Sequence, residues 1–162
     1  MPCRLEHGNS HLVGVISDTH GLLRSAVVQA FAGTELIIHA GDIGKSAVLE
    51  ALEEVAPVVA VRGNMDRGEW TLKLSETEVV EVGDTLLYVL HNVKKLDLDP
   101  GAAGFSAVIS GHTHRPATED RGGVLFVNPG SAGPPRFRFP VSVALLKVHG
   151  KSVKAQVVEL EV

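Results

Sequence analysis

The stretch Ser110-Gly111-His112-Thr113-His114-Arg115 follows an apolar run, residues 105–109, that is typical of a buried strand. Side chains two residues apart on an extended chain point to the same side of it. The two imidazoles of this stretch can therefore converge on one point just beyond the strand. Gly111 lets the backbone turn there, because it carries no Cβ atom that would clash. The pair of histidines predicts a functional site at the end of a strand.

Short apolar runs alternate with segments of helical spacing up to residue 66. This alternation predicts parallel strands joined by right-handed crossovers, and ligands of such sheets gather beyond the carboxyl ends of the strands. The predicted elements are a strand over 12–17, a helix over 22–32, a strand over 36–39, a helix over 45–55 and a strand over 58–61. Each strand end carries a polar cluster: Asp18-Thr19-His20, Gly41-Asp42 and Gly63-Asn64-Met65-Asp66.

The second half of the chain has a different pattern, in which alternating or continuous apolar runs flank turns. The predicted hairpins span 78–90, 116–127 and 141–161. His91 closes the first of them, and a short helix is predicted to open at Asp99 and to end by Gly104.

These elements together predict an α/β fold, a four-layer αββα sandwich of two mixed sheets flanked by helices. Residues 1–11 are predicted to be a loose lead-in that can be disordered. Residues 12–162 are predicted to form a single domain, since their number suits one hydrophobic core.

Composition restricts the class of protein. Of the 162 residues, 44% are hydrophobic and 21% are charged, which is ordinary for a globular chain. No apolar run approaches the roughly 18 residues that cross a bilayer, and the N-terminus has no apolar signal core, so we expect a soluble cytoplasmic protein. A net charge of −4 and 4% aromatic residues disfavour a nucleic-acid polymer as partner. The mean hydropathy of +0.17, with apolar terminal strands, favours a homo-oligomer.

The polar side chains at the predicted strand ends are oxygen or imidazole donors: Asp18, His20, Asp42, Asn64, His91, His112 and His114. Cys3 is the only cysteine, so a thiolate metal site is not expected. Such a mixed set suits Mn, Fe, Zn or Ni better than Ca or Mg, and Mn is the metal we expect. These donors are more than the protein ligands needed by one ion that keeps an open coordination position. The set therefore predicts two divalent ions roughly 3.5–4 Å apart, bridged by one carboxylate. Two carboxylates and a hydroxide leave such a centre positive, which favours a phosphate ester as substrate.

The polar blocks occur in the order D-x-H, G-D, G-N-x-D, a single His after a strand, and G-H-x-H. In this order and chemistry the chain resembles the calcineurin-like metallophosphoesterases, most closely their small prokaryotic phosphodiesterase branch. The resemblance spans about residues 12 to 160. It implies one metal ion held by Asp18, His20 and His114, a second held by Asn64, His91 and His112, and Asp42 bridging both. The implied reaction is in-line attack of a metal-bridged hydroxide on a phosphodiester or phosphomonoester.

Two positions depart from the pattern of that family. Many relatives place a His after Gly-Asn as the leaving-group acid, whereas this chain has Met65 there, so Asp66 or water is expected to supply the proton. Many relatives also have His-Gly-His where this chain has His91-Asn92-Val93. Besides Asp66, the residues expected to act at the reacting phosphate are Asn64 and His112.

Three functions are compatible with the sequence. The leading prediction is a dinuclear metal-dependent phosphodiesterase that acts on a small phosphoester. The alternatives are a non-catalytic interaction scaffold of the same fold, resembling a retromer subunit, and a phosphomonoesterase. His39, just before the Gly-Asp turn, is predicted to be packed or to support the ligands from behind.

Overall fold

Two mixed β-sheets pack face to face in the computed structural model, which describes residues 3–5 and 10–162, with side chains from residue 10 onward. The strands are β1 Cys3–Leu5, β2 Ser10–Ile16, β3 Leu36–His39, β4 Val58–Ala60, β5 Thr77–Val82, β6 Thr85–Leu90, β7 Ala107–Ile109, β8 Ala117–Arg121, β9 Val124–Asn128, β10 Ser142–His149 and β11 Ser152–Glu159. The helices are α1 Ser25–Ala30 and α2 Ser46–Glu53, and short 3₁₀ turns span Glu69–Thr71 and Val93–Lys95. The five-stranded sheet has the order β11-β10-β2-β3-β4, and the six-stranded sheet has the order β1-β5-β6-β7-β9-β8.

Each sheet contains a block of three parallel strands. In the five-stranded sheet β2, β3 and β4 run parallel, with Val15 opposite Ile38. In the six-stranded sheet β6, β7 and β9 run parallel, with Val108 between Tyr88 and Phe126. The hairpins β5–β6, β8–β9 and β10–β11 are antiparallel, as the sequence predicts. Both sheets therefore offer loops at the carboxyl ends of parallel strands, where ligands bind in folds of this class.

Alternate strand residues fill the space between the two sheets. Val13 and Val15 of β2, Leu87 of β6 and Ile109 of β7 are fully buried in this layer. Ile37 of β3 points the other way and packs against the two helices. Both faces of β3 are thus covered, which explains why its sequence is continuously apolar. Each such side chain stabilises the fold by about 1.5–3 kcal/mol on leaving water.

The predicted sandwich of two mixed sheets is confirmed, and the layer outside the six-stranded sheet has an irregular form. The segment predicted as a helix, residues 99–104, is a turn closed by a bond from Ala103 N–H to Asp99 O. Its two glycines disfavour a continued helix. Phe105 and the 3₁₀ turn that begins at Val93 pack on this face of the sheet instead.

Helix α1 begins later than the sequence predicts, at Ser25 instead of residue 22. The N–H of Leu22 is directed to Thr19 O over 3.0 Å, and the backbone of Arg24 is extended. The loop after β2 therefore uses residues that the periodic pattern assigned to the helix, whereas α2 lies within its predicted range. Neither of these, nor any other helix of the described residues, is long and apolar enough to cross a bilayer.

The segment predicted as a loose lead-in, residues 1–11, contains strands where the structure describes it. β1 pairs in parallel with β5. β2 begins at Ser10, and His11 is buried with its Nδ1 2.7 Å from Glu35 Oε2. The lead-in is thus corrected at these positions, because sheet pairing orders them. Residues 1, 2 and 6–9 lie outside the described residues, and the domain boundary at residue 12 stays a prediction.

Candidate metal centre

Hydrogen bonds join the strand ends of the two sheets and bring the predicted donors to one edge. Asp18 Oδ2 accepts the N–H of His112 over 3.0 Å, which joins the end of β2 to the end of β7. His91 donates from Nδ1 to Ala40 O over 2.8 Å, which joins β6 to β3. Residues that are far apart in the chain therefore meet beyond the carboxyl ends of both sheets.

Three imidazoles surround the carboxylate of Asp18. Its Oδ1 lies 3.4 Å from His114 Nε2, and 3.9 Å from the Nε2 atoms of both His20 and His91. Oδ2 of Asp42 lies 3.2 Å from His91 Nε2 and 3.9 Å from His20 Nε2. Ligand atoms within 4.8 Å of one another, in groups that could hold a metal ion, come from Asp18, His20 and His114, and from Asp18, Asp42 and His91.

Unpaired polar atoms are concentrated in this cluster. Among the side chains of residues 10–162, the buried nitrogen or oxygen atoms without a hydrogen-bond partner are Asp18 Oδ1, His20 Nε2, Arg24 Nε, His91 Nε2 and His114 Nδ1. All but the Arg24 atom belong to predicted donors. A buried polar atom without a partner costs about 1–3 kcal/mol, and buried charges are normally paired or bound to metal. A divalent cation beside Asp18 Oδ1, His20 Nε2 and His91 Nε2 would remove that cost for these three atoms, so the donor set fits such an ion.

The tautomer of His91 follows from its surroundings. Its Nδ1 faces the carbonyl of Ala40, which only accepts, so this nitrogen carries the proton. Its Nε2 lies 3.2 Å from Asp42 Oδ2 without an aligned hydrogen bond between them. A nitrogen lone pair that faces a carboxylate is repelled unless a proton or a metal ion lies between the two. The His91–Asp42 pair therefore favours a positive charge at this point.

The charges of the cluster shift the titration of its members. Burial would lower the pKa of His91, but the contact with Asp42 and the charges of Asp18 and Asp42 outweigh it and raise that pKa above its ordinary value. Burial would raise the pKa of Asp42, yet the contacts with His91 and with the N–H of Met65 hold it below its ordinary value. Burial lowers the pKa of His20 despite the two carboxylates nearby. The cluster thus attracts cations while favouring the neutral form of His20, which is the form that binds metals.

The backbone is strained at most of the predicted donors. The φ angles lie between 48° and 72°, in the left-handed region, at Asp18, His20, Asp42, His112 and His114. Elsewhere in the described chain only two non-glycine residues, Phe137 and Arg138, have positive φ. Such a conformation costs a non-glycine residue about 1–3 kcal/mol and persists only where the surrounding structure enforces it. The concentration of strain is a further sign of a functional site.

Gly111 and Gly63 allow two loops to approach the carboxylates. A Cβ atom at Gly111 would collide with Ser17 Oγ and Asp18 Oδ2, and one at Gly63 would collide with Asp42 Oδ1. The φ angle of Gly111 is not in the left-handed region. Gly111 is therefore needed for close approach, and not for the turn conformation that the sequence suggests.

Asn64 and His112 form the exposed side of the cluster. His112 Nδ1 lies 3.2 Å from Asn64 Oδ1, and its ring meets the His91 ring edge-on with centroids 5.1 Å apart. Met65 is 54% exposed and donates its backbone N–H to Asp42 Oδ1 over 2.9 Å. Because a thioether carries no titratable proton, the side chain at this position cannot act as an acid.

Asp66 lies behind the cluster, which corrects the expectation that it supplies a proton. Its Oδ1 accepts the N–H groups of Ile43 and Gly44 over 2.8 and 3.0 Å, and its Oδ2 accepts that of Gly63 over 2.8 Å. Asp66 is only 6% exposed. With both oxygens engaged by backbone donors, its role is to hold the loop after β3 against the loop after β4.

His39 is fully buried, as the sequence predicts, and its hydrogen bonds reach the loops that carry Asp18 and Asp42. Its Nδ1 accepts the N–H of Gly41 over 3.1 Å, so its Nε2 carries the proton and donates to Thr19 Oγ1 over 3.0 Å. Thr19 Oγ1 donates in turn to Ile43 O over 2.8 Å. Burial lowers the pKa of His39 to about 3, which keeps the ring neutral. These bonds, which we call the His39 chain, tie the loop after β2 to the loop after β3.

Two serines outside the predicted donor set hold Asp18. Ser17 Oγ donates to Asp18 Oδ2 over 2.8 Å, and Ser131 Oγ donates to Asp18 O over 3.0 Å. Asn128 Nδ2 donates to Gly111 O over 2.9 Å and so supports the turn that carries the two histidines. The position of Ser17 at the end of an apolar strand is a signal that could have revealed it. Ser131 lies in the turn after β9, and only the folded chain brings it to Asp18.

Comparison with known sequences finds relatives along most of the chain. The family model described as the calcineurin-like phosphoesterase superfamily domain matches residues 12–151. A protein of Methanocaldococcus jannaschii named a probable metallophosphoesterase is 37% identical, over 95% of this chain and 84% of its own length.

Comparison with solved structures finds the same fold. YfcE, a phosphoesterase from Escherichia coli, has a TM-score of 0.68 at 25% identity, covering 93% of this chain and 100% of that chain. The curated name of YfcE is phosphodiesterase. Vps29 of Entamoeba histolytica, solved in complex with Zn²⁺, has a TM-score of 0.71 at 26% identity, covering 91% of this chain and 98% of that chain.

Proposed function

The chain belongs to the calcineurin-like phosphoesterase superfamily, and from this premise we propose that it is a dinuclear metal-dependent phosphodiesterase. The observation that carries the proposal is the set of buried, unpaired donor atoms around Asp18 Oδ1. Relatives named as phosphodiesterases support the choice of a diester as the substrate.

In this proposal Asp18, His20 and His114 hold one ion. The short distances among their ligand atoms support this assignment. Asn64, His91 and His112 hold the second ion, and Asp42 lies between the two. The contact of Asp42 Oδ2 with His91 Nε2 and the pairing of Asn64 with His112 support the second assignment. Mn²⁺ is the expected metal, because mixed carboxylate and imidazole sets suit it.

When bound, divalent ions lower the pKa of water to near neutrality and offset the charge that builds on phosphoryl oxygens. The protein's own part is to hold the donors in place and to leave one side open. Asn64 and His112 occupy that open side, and in this proposal they meet the reacting phosphate. Neither Met65 nor Asp66 is placed to protonate the leaving group, so in this proposal water supplies that proton.

Hydrolysis of bis-p-nitrophenyl phosphate by the purified full chain with added Mn²⁺ tests the proposal. His112→Ala should lower the rate about 100-fold or more, since one preorganised group at the reacting phosphate is commonly worth that much. His149→Ala, which removes an exposed imidazole from β10, is the matched control and should keep the native rate. Equal rates in the native protein and in His112→Ala would refute the assignment. Parallel assays with p-nitrophenyl phosphate decide between diester and monoester preference.

A second candidate function is a non-catalytic interaction module, and the exposed Met65 is the observation that favours it. Elemental analysis of the purified protein, paired with a phosphoester panel, separates the two candidates. Bound metal with no turnover of any phosphoester would support the module. A cytoplasmic location and a homo-oligomeric state stay predictions of the sequence.

A further inference from the structure

A cavity of about 420 Å³ opens beside the candidate metal centre, and we call it the lateral cavity. Asn64, His91 and His112 form its wall toward the cluster, and Tyr88 and Leu90 supply apolar surface. Its volume lies within the roughly 300–1,000 Å³ that is typical of pockets for small molecules. A group esterified to a phosphate at His112 would therefore have room in this cavity.

The charged residues of the cavity wall balance one another. They are Arg62, Glu76, Lys95 and Asp97. Arg62 and Glu76 form an ion pair of 3.4 Å, and Lys95 and Asp97 add one charge of each sign. A wall with no net charge does not favour a second phosphate or a carboxylate, whose burial needs an opposite charge. The cavity thus suits a neutral group.

The remaining wall suits a ring. Tyr88 is only 9% exposed, and Phe105 packs edge-on against it with ring centroids 5.1 Å apart, so its position is constrained. Packed aromatic and aliphatic side chains bind flat apolar groups, while a few polar groups fix their orientation. The amide of Asn92 and the hydroxyl of Thr77 are such polar groups on the same wall.

We propose that the lateral cavity binds one of the two organic groups of the phosphodiester, and that this group is a neutral, ring-bearing alcohol of nucleoside size. The proposal rests on the function proposed above. It also gives a physical reason why the enzyme would prefer a diester as its substrate. A phosphodiester can place one ester group in the cavity and still release the other. The cavity is therefore a specificity site for the retained alcohol.

Calorimetric titration of the full chain, loaded with Mn²⁺, tests the proposal without relying on turnover. The probes are methyl phosphate and thymidine 5′-monophosphate, which carry the same phosphate and differ only in the organic group. Thymidine 5′-monophosphate should bind about tenfold tighter or more, because its base and sugar leave water in the cavity. Thr77→Trp fills the cavity from an exposed position opposite Leu90 and should bring the two affinities within about twofold, with methyl phosphate unchanged.

The matched control is Thr118→Trp, at an exposed position of β8 outside the cavity wall, which should behave like the native protein. Lys95→Trp is a second filling variant in case Thr77→Trp does not fold. Equal affinities for the two phosphates in the native protein, or no binding of either, overturn the proposal. If bis-p-nitrophenyl phosphate is still hydrolysed in that case, the proposed function survives without the cavity. Tighter binding of the nucleotide, with no hydrolysis of bis-p-nitrophenyl phosphate, would support the binding role of the cavity and refute the proposed function.

Discussion

The two sides of the candidate metal centre are constructed differently. On the buried side, Asp18, Asp42 and His91 are at most 5% exposed, and hydrogen bonds from neighbouring loops hold each of them. On the exposed side, Asn64 and His112 face solvent and are paired with each other over 3.2 Å. Ligand atoms on the buried side therefore have no hydrogen-bond partner, whereas Asn64 and His112 on the exposed side bond to each other.

This difference suggests that the two sides of the centre have different roles. Donors that cannot reach water and have no partner are preorganised, since no solvent must be displaced before a cation binds. Donors that pair with each other in water can exchange that bond for another partner at little cost. We therefore expect the buried side to govern metal affinity and the exposed side to govern turnover.

The largest effect is expected from Asp42→Asn, which keeps the shape of the side chain and removes its charge. Several kcal/mol of charge stabilisation would be lost, which corresponds to about 1,000-fold or more in kcat/KM together with loss of bound metal. Elemental analysis and hydrolysis of bis-p-nitrophenyl phosphate measure both. Asp84→Asn, in an exposed hairpin turn, is the control. If Asp42→Asn kept native metal content while His112→Ala lost it, the division between the two sides would be reversed.

A smaller effect is expected when the His39 chain is cut. His39→Leu removes both of its hydrogen bonds, so the loops that carry Asp18 and Asp42 lose a common support. Groups that orient metal ligands typically contribute about 10–100-fold to metal affinity. His39→Gln, whose amide can still donate toward Thr19, should recover part of that loss in a Mn²⁺ titration. The same affinity in His39→Leu and in the native protein would contradict this role.

The smallest effect is a dependence of stability on pH. The pKa of His39 is lowered by burial from 6.5 to about 3, so between these values the unfolded chain binds more protons than the folded protein. The contribution of His39 to stability is therefore present above pH 6.5 and is lost as the pH falls toward 3, by at most about 1.4 kcal/mol per pH unit. Urea unfolding with a chelator present measures it, and His39→Leu should lower the slope. An unchanged slope in that variant would count against the neutral, buried ring.

Much of the fold could be predicted because its signals are local. The strand Leu36–His39 has the bounds that its apolar run indicates, and the three hairpins follow from alternation around turns. Helix α1 could not be bounded in the same way, because the turn after β2 includes Leu22, whose N–H is directed to Thr19 O. The segment that begins at Asp99 does not form the expected helix for another reason. It is short, and its glycines have a low helix propensity.

The candidate site, like the fold, could be predicted from the sequence only in part. The seven donors could be selected from the sequence because each follows a predicted strand, and the structure brings them to one edge, while their role as metal ligands stays a prediction. The role expected of Asp66 could not be judged from its neighbours in the chain, because its oxygens accept hydrogen bonds from three backbone N–H groups of two loops.

The sequence by itself determined the order of the elements and the chemical kind of the donors, since strand and helix periods act over a few residues. Only the tertiary structure decided which donors are buried and unpaired, which residues support them, and where the lateral cavity lies. Contacts such as Ser131 with Asp18 join residues more than a hundred positions apart. They depend on how two sheets pack, which no local pattern encodes.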